Sequence, residues 1–238
     1  MKHADPELLR RGFVYNMTKD KEGALWCGMR SKGLIYYNPR TGVQKNWSAG
    51  KNPHSLADDF VTFILNDSKN NIYIGTNNGG LYRYNRSTVD FYSFADEGKL
   101  DESCICALVE DKQGKIWITT IHGLYIYDPS RETVSKFRMT DLMSVNYFNY
   151  TSAFKANDGS LFFGSVNGML SFQPEEISMH VVHPKVMIRS IIVGDKEITL
   201  PDSVNTITLS HSESELVTIE FAGINPAVSG LIEYAIKM

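Results

Sequence analysis

The chain has 238 residues, 42% of them apolar, with 24 basic against 27 acidic side chains and a formal net charge of -3. That is ample material for a sizeable core in one large or two modest domains. The charges are spread without long blocks, which excludes the basic footprint of a nucleic-acid or anionic-membrane binder. The longest apolar run, Met187 to Val193 with Arg189 inside it, falls far short of the roughly 20 residues that cross a bilayer.

The opening MKHADPELLRRGF is charged where a signal peptide carries its apolar stretch. The sequence as given therefore shows no secretion signal, and predicts either a cytosolic chain or one cut from a longer precursor. From Gly12 onward the chain repeats itself. Four segments align: DKEGALWCGMRSKGLIYYN (20 to 38), DSKNNIYIGTNNGGLYRYN (67 to 85), DKQGKIWITTIHGLYIYD (111 to 128) and NDGSLFFGSVNGMLSFQ (157 to 173).

The aromatic anchors Trp26, Tyr73, Trp117 and Phe162 are 47, 44 and 45 residues apart, and Gly33, Gly80, Gly123 and Gly168 are spaced by 47, 43 and 45. A period near 45 suits a four-stranded blade. The second copy shows the predicted strands most fully: FVTFILND, IYIGT, LYRYN and DFYSF, alternating large residues with polar or small ones. Each D-x-x-G turn places an Asp that can bond back to the backbone and a Gly for which positive φ is cheap. In the second copy Asn70 and Asn71 take the glycine's place, Asn being the next best residue for that conformation. Sheets of this kind cannot bury both faces alone, so they stack radially, and the fold class predicted for residues 12–180 is an all-β propeller segment of four four-stranded blades.

Cys27, Cys104 and Cys106 fit neither a disulfide framework nor a four-ligand zinc site. Cys104 and Cys106 alternate in SCICALVED, which predicts one buried face of a strand. The adjacent acidic pairs Asp58-Asp59, Asp101-Glu102 and Glu175-Glu176 are read as solvated rather than catalytic, because neighbours on a strand point apart. Neither the histidines nor the glycine-rich GTNNGGL supplies a zinc spacing or a phosphate loop. No catalytic residue, metal site or cofactor is predicted.

After FQPEEI the period stops, and His183-Pro184 marks a boundary. KVMIRSIIV, the GDKEI turn, NTITLS, ELVTIEFAGI and LIEYAIKM predict short strands of a second domain over 184–238. A complete immunoglobulin-like sandwich needs roughly 100 residues, so an incomplete one is expected here.

The blade pattern D-x-x-G-x-[IL]-W-x-G-[TM]-x-x-G-[LI]-x-x-[YF]-[ND] resembles the two-component regulator propeller repeat. The tail SELVTIEFAGINP followed by Tyr234 resembles the Y_Y_Y domain that follows such propellers. Together they resemble the sensor region of Bacteroides-type hybrid two-component systems. The departures are Cys27 where Ile or Val is usual, Phe162-Phe163 and Asn157-Asp158 in the fourth copy, and Pro226 where a tyrosine is frequent.

The resemblance implies a periplasmic fragment covering the last four blades of a second seven-bladed propeller and part of the sandwich. It implies a non-catalytic sensor, responsive to glycans and passing its signal to a histidine kinase absent from this chain. Two alternatives stand beside it: a propeller enzyme of lyase or lactonase type, and an interaction module that forms a homodimer through blade edges.

In a propeller, the loops joining second to third strands and one blade to the next share one face, while the D-x-x-G turns lie on the other. The first set varies and the second repeats, which points recognition to the first. The candidate ligand-binding residues are Arg30, Lys32, Asn77, Asn78, Asp101, Glu102, His122 and Asn167. Their guanidinium, amide, imidazole and carboxylate groups suit the hydroxyls of an oligosaccharide, or a uronate or sulfate, with Tyr rings as platforms.

Overall fold

The computed structural model describes residues 12–52, 54–100, 102–137, 147–176, 185–193, 196–198 and 217–224. It divides into two compact units, residues 1–177 and 178–238. Every regular element among the described residues is a strand.

The first unit is four consecutive antiparallel meanders. Blade 1 holds β1 (Val14–Lys19), β2 (Leu25–Met29), β3 (Leu34–Tyr37) and β4 (Gln44–Trp47). Blade 2 holds β5 (Val61–Asn66), β6 (Ile72–Thr76), β7 (Leu81–Asn85) and β8 (Asp90–Ser93). Blade 3 holds β9 (Ile105–Glu110), β10 (Ile116–Thr120), β11 (Gly123–Asp128) and β12 (Thr133–Phe137). Blade 4 shows β13 (Phe148–Lys155), β14 (Leu161–Ser165) and β15 (Gly168–Phe172), three strands of the four expected, and the segment 177–184 that follows lies outside the described residues. The first strands lie side by side, β1 by β5, β5 by β9 and β9 by β13, and so line the axis.

The core sits between blades, in three clusters that each draw side chains from two neighbours. The anchor aromatics hold these layers together. Trp26 meets Tyr84 of the next blade at 4.9 Å between ring centroids, Tyr73 meets Tyr127 at 6.0 Å, and Trp117 meets Phe172 at 4.9 Å. Offset and edge-on pairs of this kind add about 0.5–1.5 kcal/mol each to the burial of their area. Close approach needs small residues on the second strand: a Cβ on Gly75 would stand 2.6 Å from the Ile105 side chain, and one on Gly28 2.7 Å from Val61. The two ends of the run are different. Phe13 and Met17 on blade 1 and Phe154, Val166 and Met169 on blade 4 are exposed, on blades that have a described neighbour on one side only.

The repeated turn does more than reverse the chain. Asp111 Oδ1 accepts the Lys115 N–H at 2.9 Å and Oδ2 accepts the Trp117 indole N–H at 2.9 Å. Asp20 does the same for Ala24 and Trp26, at 2.8 and 2.9 Å. In blade 2 the anchor is Tyr73, and the Asn71 amide takes the second oxygen of Asp67 at 2.7 Å. Asn70 carries φ of 68°, the left-handed conformation expected of it. In blade 4 the equivalent position is Ala156 and the anchor is Phe162, so carboxylate and indole N–H are lost together.

In the second unit, β16 (Lys185–Val193) pairs antiparallel with both β17 (Lys196–Ile198) and β18 (Val217–Ile224). NTITLS and LIEYAIKM lie outside the described residues, so the sandwich remains an expectation from the sequence.

Candidate ligand-binding rim

Strand order decides which loops share a face. The β1–β2, β5–β6, β9–β10 and β13–β14 turns fall on one side of the first unit, and the β2–β3 loops and blade-to-blade connections fall on the other. The first side is tied blade to blade. The Lys21 N–H donates to Asn70 Oδ1 at 3.1 Å, Ser68 donates through N–H and hydroxyl to Glu110 at 2.8 and 2.5 Å, and the Lys112 ammonium donates to the Asp158 carbonyl.

The opposite rim carries the candidate residues. Glu102 and His122 are paired: Glu102 Oε2 lies 2.9 Å from His122 Nδ1, and the Tyr125 hydroxyl donates to Oε1 at 2.5 Å. The imidazole is 60% exposed while the carboxylate is 11% exposed. The tyrosine thus fixes a half-sheltered carboxylate, which orients an open imidazole. Burial, then the hydrogen bond to Glu102 and its charge, push the Tyr125 hydroxyl up from its ordinary pKa.

Asn77 faces the axis. Its N–H donates to the Phe60 carbonyl at 3.0 Å, and its Oδ1 accepts the Tyr150 hydroxyl at 2.6 Å. Tyr150 belongs to an aromatic group with Tyr15, at 6.1 Å and edge-on, and Phe60, at 6.2 Å and stacked; Tyr15 and Phe60 are 4.9 Å apart. The Arg30 guanidinium caps the Phe60 ring at 5.9 Å. Such a contact at an exposed site contributes about 0.5–1 kcal/mol.

The other candidates stand apart from this group. Lys32 shares the Arg30 loop, half-buried, with its methylenes beside Gly12. Exposed Asn78 gives its N–H to Asp58 Oδ2 at 2.7 Å, a bond that shapes the loop. Asn167 is exposed at the tip of blade 4 and gives its N–H to Ser165 Oγ at 3.2 Å. Asp101 lies outside the described residues.

The loops predicted from topology therefore share a rim, but Tyr15, Phe60, Cys104, Tyr125 and Tyr150 were not among the residues singled out for it. Tyr150 follows the segment 138–146, so no repeat column places it. A local signal is present at its neighbour: Thr151 has φ of 55°, an outlier for a β-branched residue. Backbone strain of this kind costs about 1–3 kcal/mol and persists where the surroundings demand it. Here it accompanies the irregular stretch between Phe148 and Ala153 of β13 that delivers the Tyr150 ring to the axis. Thr151→Gly is expected to raise stability in urea by about 1 kcal/mol, strain relief outweighing the entropy cost of glycine. No change or a loss would show that the conformation stores no strain.

The rim carries an aromatic group, an amide, a guanidinium and an imidazole, groups able to stack on or hydrogen-bond a ligand. Among the described residues no three His, Cys, Asp or Glu side chains are placed to share a metal ion. Among those same residues no helix is long and apolar enough to cross a membrane.

Comparison with known proteins places the chain. Residues 55–78 and 99–122 match the two component regulator propeller model, each segment running from a blade-to-blade connection through the second strand to the rim loop. Histidine kinase P4 of Formosa agariphila is 22% identical over 89% of this chain, which spans 19% of that protein. The extracellular domain of the hybrid two component system BT3049 from B. thetaiotaomicron superposes with a TM-score of 0.68 at 22% identity, over 89% of this chain and 29% of that one. The extracellular domain of BT4673 from the same organism gives 0.53 at 21% identity, over 66% and 21%. Repeats, blades and matched segments agree: the chain carries two segments that match the two component regulator propeller repeat, in blades 2 and 3, and has the fold seen in the extracellular domain of a hybrid two component system from B. thetaiotaomicron.

Proposed function

We propose that this segment belongs to the extracytoplasmic, non-catalytic sensor region of a hybrid two-component regulator, and that it recognises an oligosaccharide at the rim. The signal would pass to a histidine kinase outside the chain. The observation that carries this reading is the group formed by Tyr15, Phe60 and Tyr150 with Asn77 and Arg30. Sugar rings offer apolar faces to aromatic platforms and hydroxyls to amides, and Arg30 suits a carboxylate or sulfate on the same ligand.

Calorimetric titration of neutral and anionic oligosaccharides tests it. A bound glycan should lose about tenfold in affinity, roughly 1.4 kcal/mol, in Tyr150→Ala and in Asn77→Ala. Asn167→Ala, outside the group, should leave affinity unchanged. Absence of heat from every glycan, with the protein folded, counts against the proposal.

The Glu102–His122 pair favours one second reading, the lyase or lactonase alternative. A carboxylate that orients an exposed imidazole is the arrangement of a general base. In the sensor reading the same imidazole is a polar contact to the ligand.

A further inference from the structure

Blade 2 carries a charge where the other blades carry none. On the third strand, the residue opposite the anchor aromatic is Tyr36 in blade 1, Ile126 in blade 3 and Ser171 in blade 4, but Arg83, opposite Tyr73, in blade 2. The fourth strand continues this row with Tyr92, directly opposite Arg83. The guanidinium lies 5.0 Å from the Tyr92 ring centroid and donates to the Tyr127 hydroxyl of blade 3 at a long 3.3 Å. Tyr127 in turn meets Tyr73 at 6.0 Å and Phe94 at 4.8 Å. Arg83 is therefore set among aromatic rings, where water screens a charge less than at an open surface.

A second cation joins it. Lys99, from the connection between blades 2 and 3, places its ammonium 5.2 Å from the same Tyr92 ring. One carboxylate serves both: Glu132, on the β11–β12 turn, lies 3.2 Å from the Lys99 ammonium and 3.7 Å from the Arg83 guanidinium. The two cationic side chains are 22% and 29% exposed, whereas Glu132 is 56% exposed. Two sheltered cations thus share one open acid, and the contact with Arg83 is longer than a hydrogen bond.

Donors are in surplus here. A guanidinium offers a fork of N–H groups, and Arg83 spends one of them on Tyr127. The buried hydroxyls of Tyr73 and Tyr92 make no hydrogen bond among the described residues. Buried polar groups are ordinarily satisfied, so a cluster of unspent donors around two cations calls for an acceptor with several oxygens.

We propose that Arg83 and Lys99 form an oxyanion site between the outer strands of blades 2 and 3, taking a carboxylate, sulfate or phosphate group, and that the Glu132 carboxylate holds that group's place. The incoming anion pairs side by side with the guanidinium fork, the geometry that makes arginine the usual reader of such groups. Its charge also meets the Lys99 ammonium. Glu132 turns out to solvent, a small loss because exposed ion pairs are weak. The site shares no residue with the rim, so the inference stands whatever the rim binds.

The experiment is calorimetric titration of the folded chain with sulfate, inorganic phosphate and acetate, at an ionic strength held constant with chloride. Saturable binding of at least one anion is expected, and preference for acetate over the two tetrahedral anions would mark the natural ligand as a carboxylate. Glu132→Gln should tighten binding by about threefold, because the competing acid is gone. Arg83→Gln and Lys99→Gln should each weaken it by about tenfold or more. Arg40→Gln, which removes an exposed cation from a blade 1 turn, should change nothing. Circular dichroism checks the fold of each variant, and Lys99→Gln with Glu132→Gln decides the matter where Arg83→Gln does not fold. No saturable binding in either the unmodified chain or Glu132→Gln would overturn the inference. So would a Glu132→Gln variant that binds no tighter, which would leave the three charges as a structural tie. Weakening in Arg30→Ala with Arg83→Gln unaffected would place the anion at the rim, and equal weakening in Arg40→Gln would mean an adventitious ion only; either result overturns the inference.

Discussion

Trp117→Ala is expected to cost about 3–5 kcal/mol of stability, the range for removing a buried Phe or Trp from a core. Trp117 is 2% exposed and stands between Phe137 of its own blade, at 5.3 Å, and Phe172 of the next, at 4.9 Å. Its removal opens a void between two sheets that cannot approach further without breaking their own ladders. The same substitution at the corresponding position of blade 4, Phe162→Ala, should cost only about 1 kcal/mol, because Phe162 is half-buried and meets Phe154 of its own blade. Urea unfolding followed by circular dichroism gives both values. Equal losses at the two sites would show that the anchor packs within a blade rather than between blades.

Asp111→Ala should cost about 2–4 kcal/mol, since it leaves the Lys115 N–H and the Trp117 indole N–H without their acceptor in a buried site. Blade 4 shows how the loss is accommodated: with Ala156 at the turn and Phe162 as anchor, no indole donor is left behind. The double variant Asp111→Ala with Trp117→Phe should therefore be less damaged than the sum of its parts, with a coupling of about 1–2 kcal/mol. Strict additivity in this cycle would mean that the indole bond contributes nothing to the blade.

Much of the fold was legible because its residues recur in fixed columns. The 45-residue period, the anchors and the turn glycines place ten or more strands without reference to one another, and Asn70 was readable as left-handed because its sisters are Gly23 and Gly114. The Asp was legible as a turn former. Its bond to the indole six residues later was not, because that contact depends on the register of β10 against β9.

The rim was legible only as loops. Arg30, Asn77, Glu102 and His122 follow from topology, because every variable loop of a meander falls on one face. Tyr150 does not: it reaches Asn77 across 73 residues and Cys104 across 46, contacts that exist only once the blades are stacked. For the same reason the alternation in SCICALVED correctly predicted burial of Cys104 and Cys106 but could not reveal the contact of Cys104 with Tyr150.

In the proposed function, ligand meets the rim and not the repeated turns. Hydrogen exchange on the chain, with and without a glycan selected by calorimetry, measures this most directly. Slowed exchange is expected at residues 30–33, 77–80, 121–123 and 147–151, with 20–24, 67–71 and 111–115 unchanged. Protection centred on the Asp turns, with the rim unaffected, would contradict it.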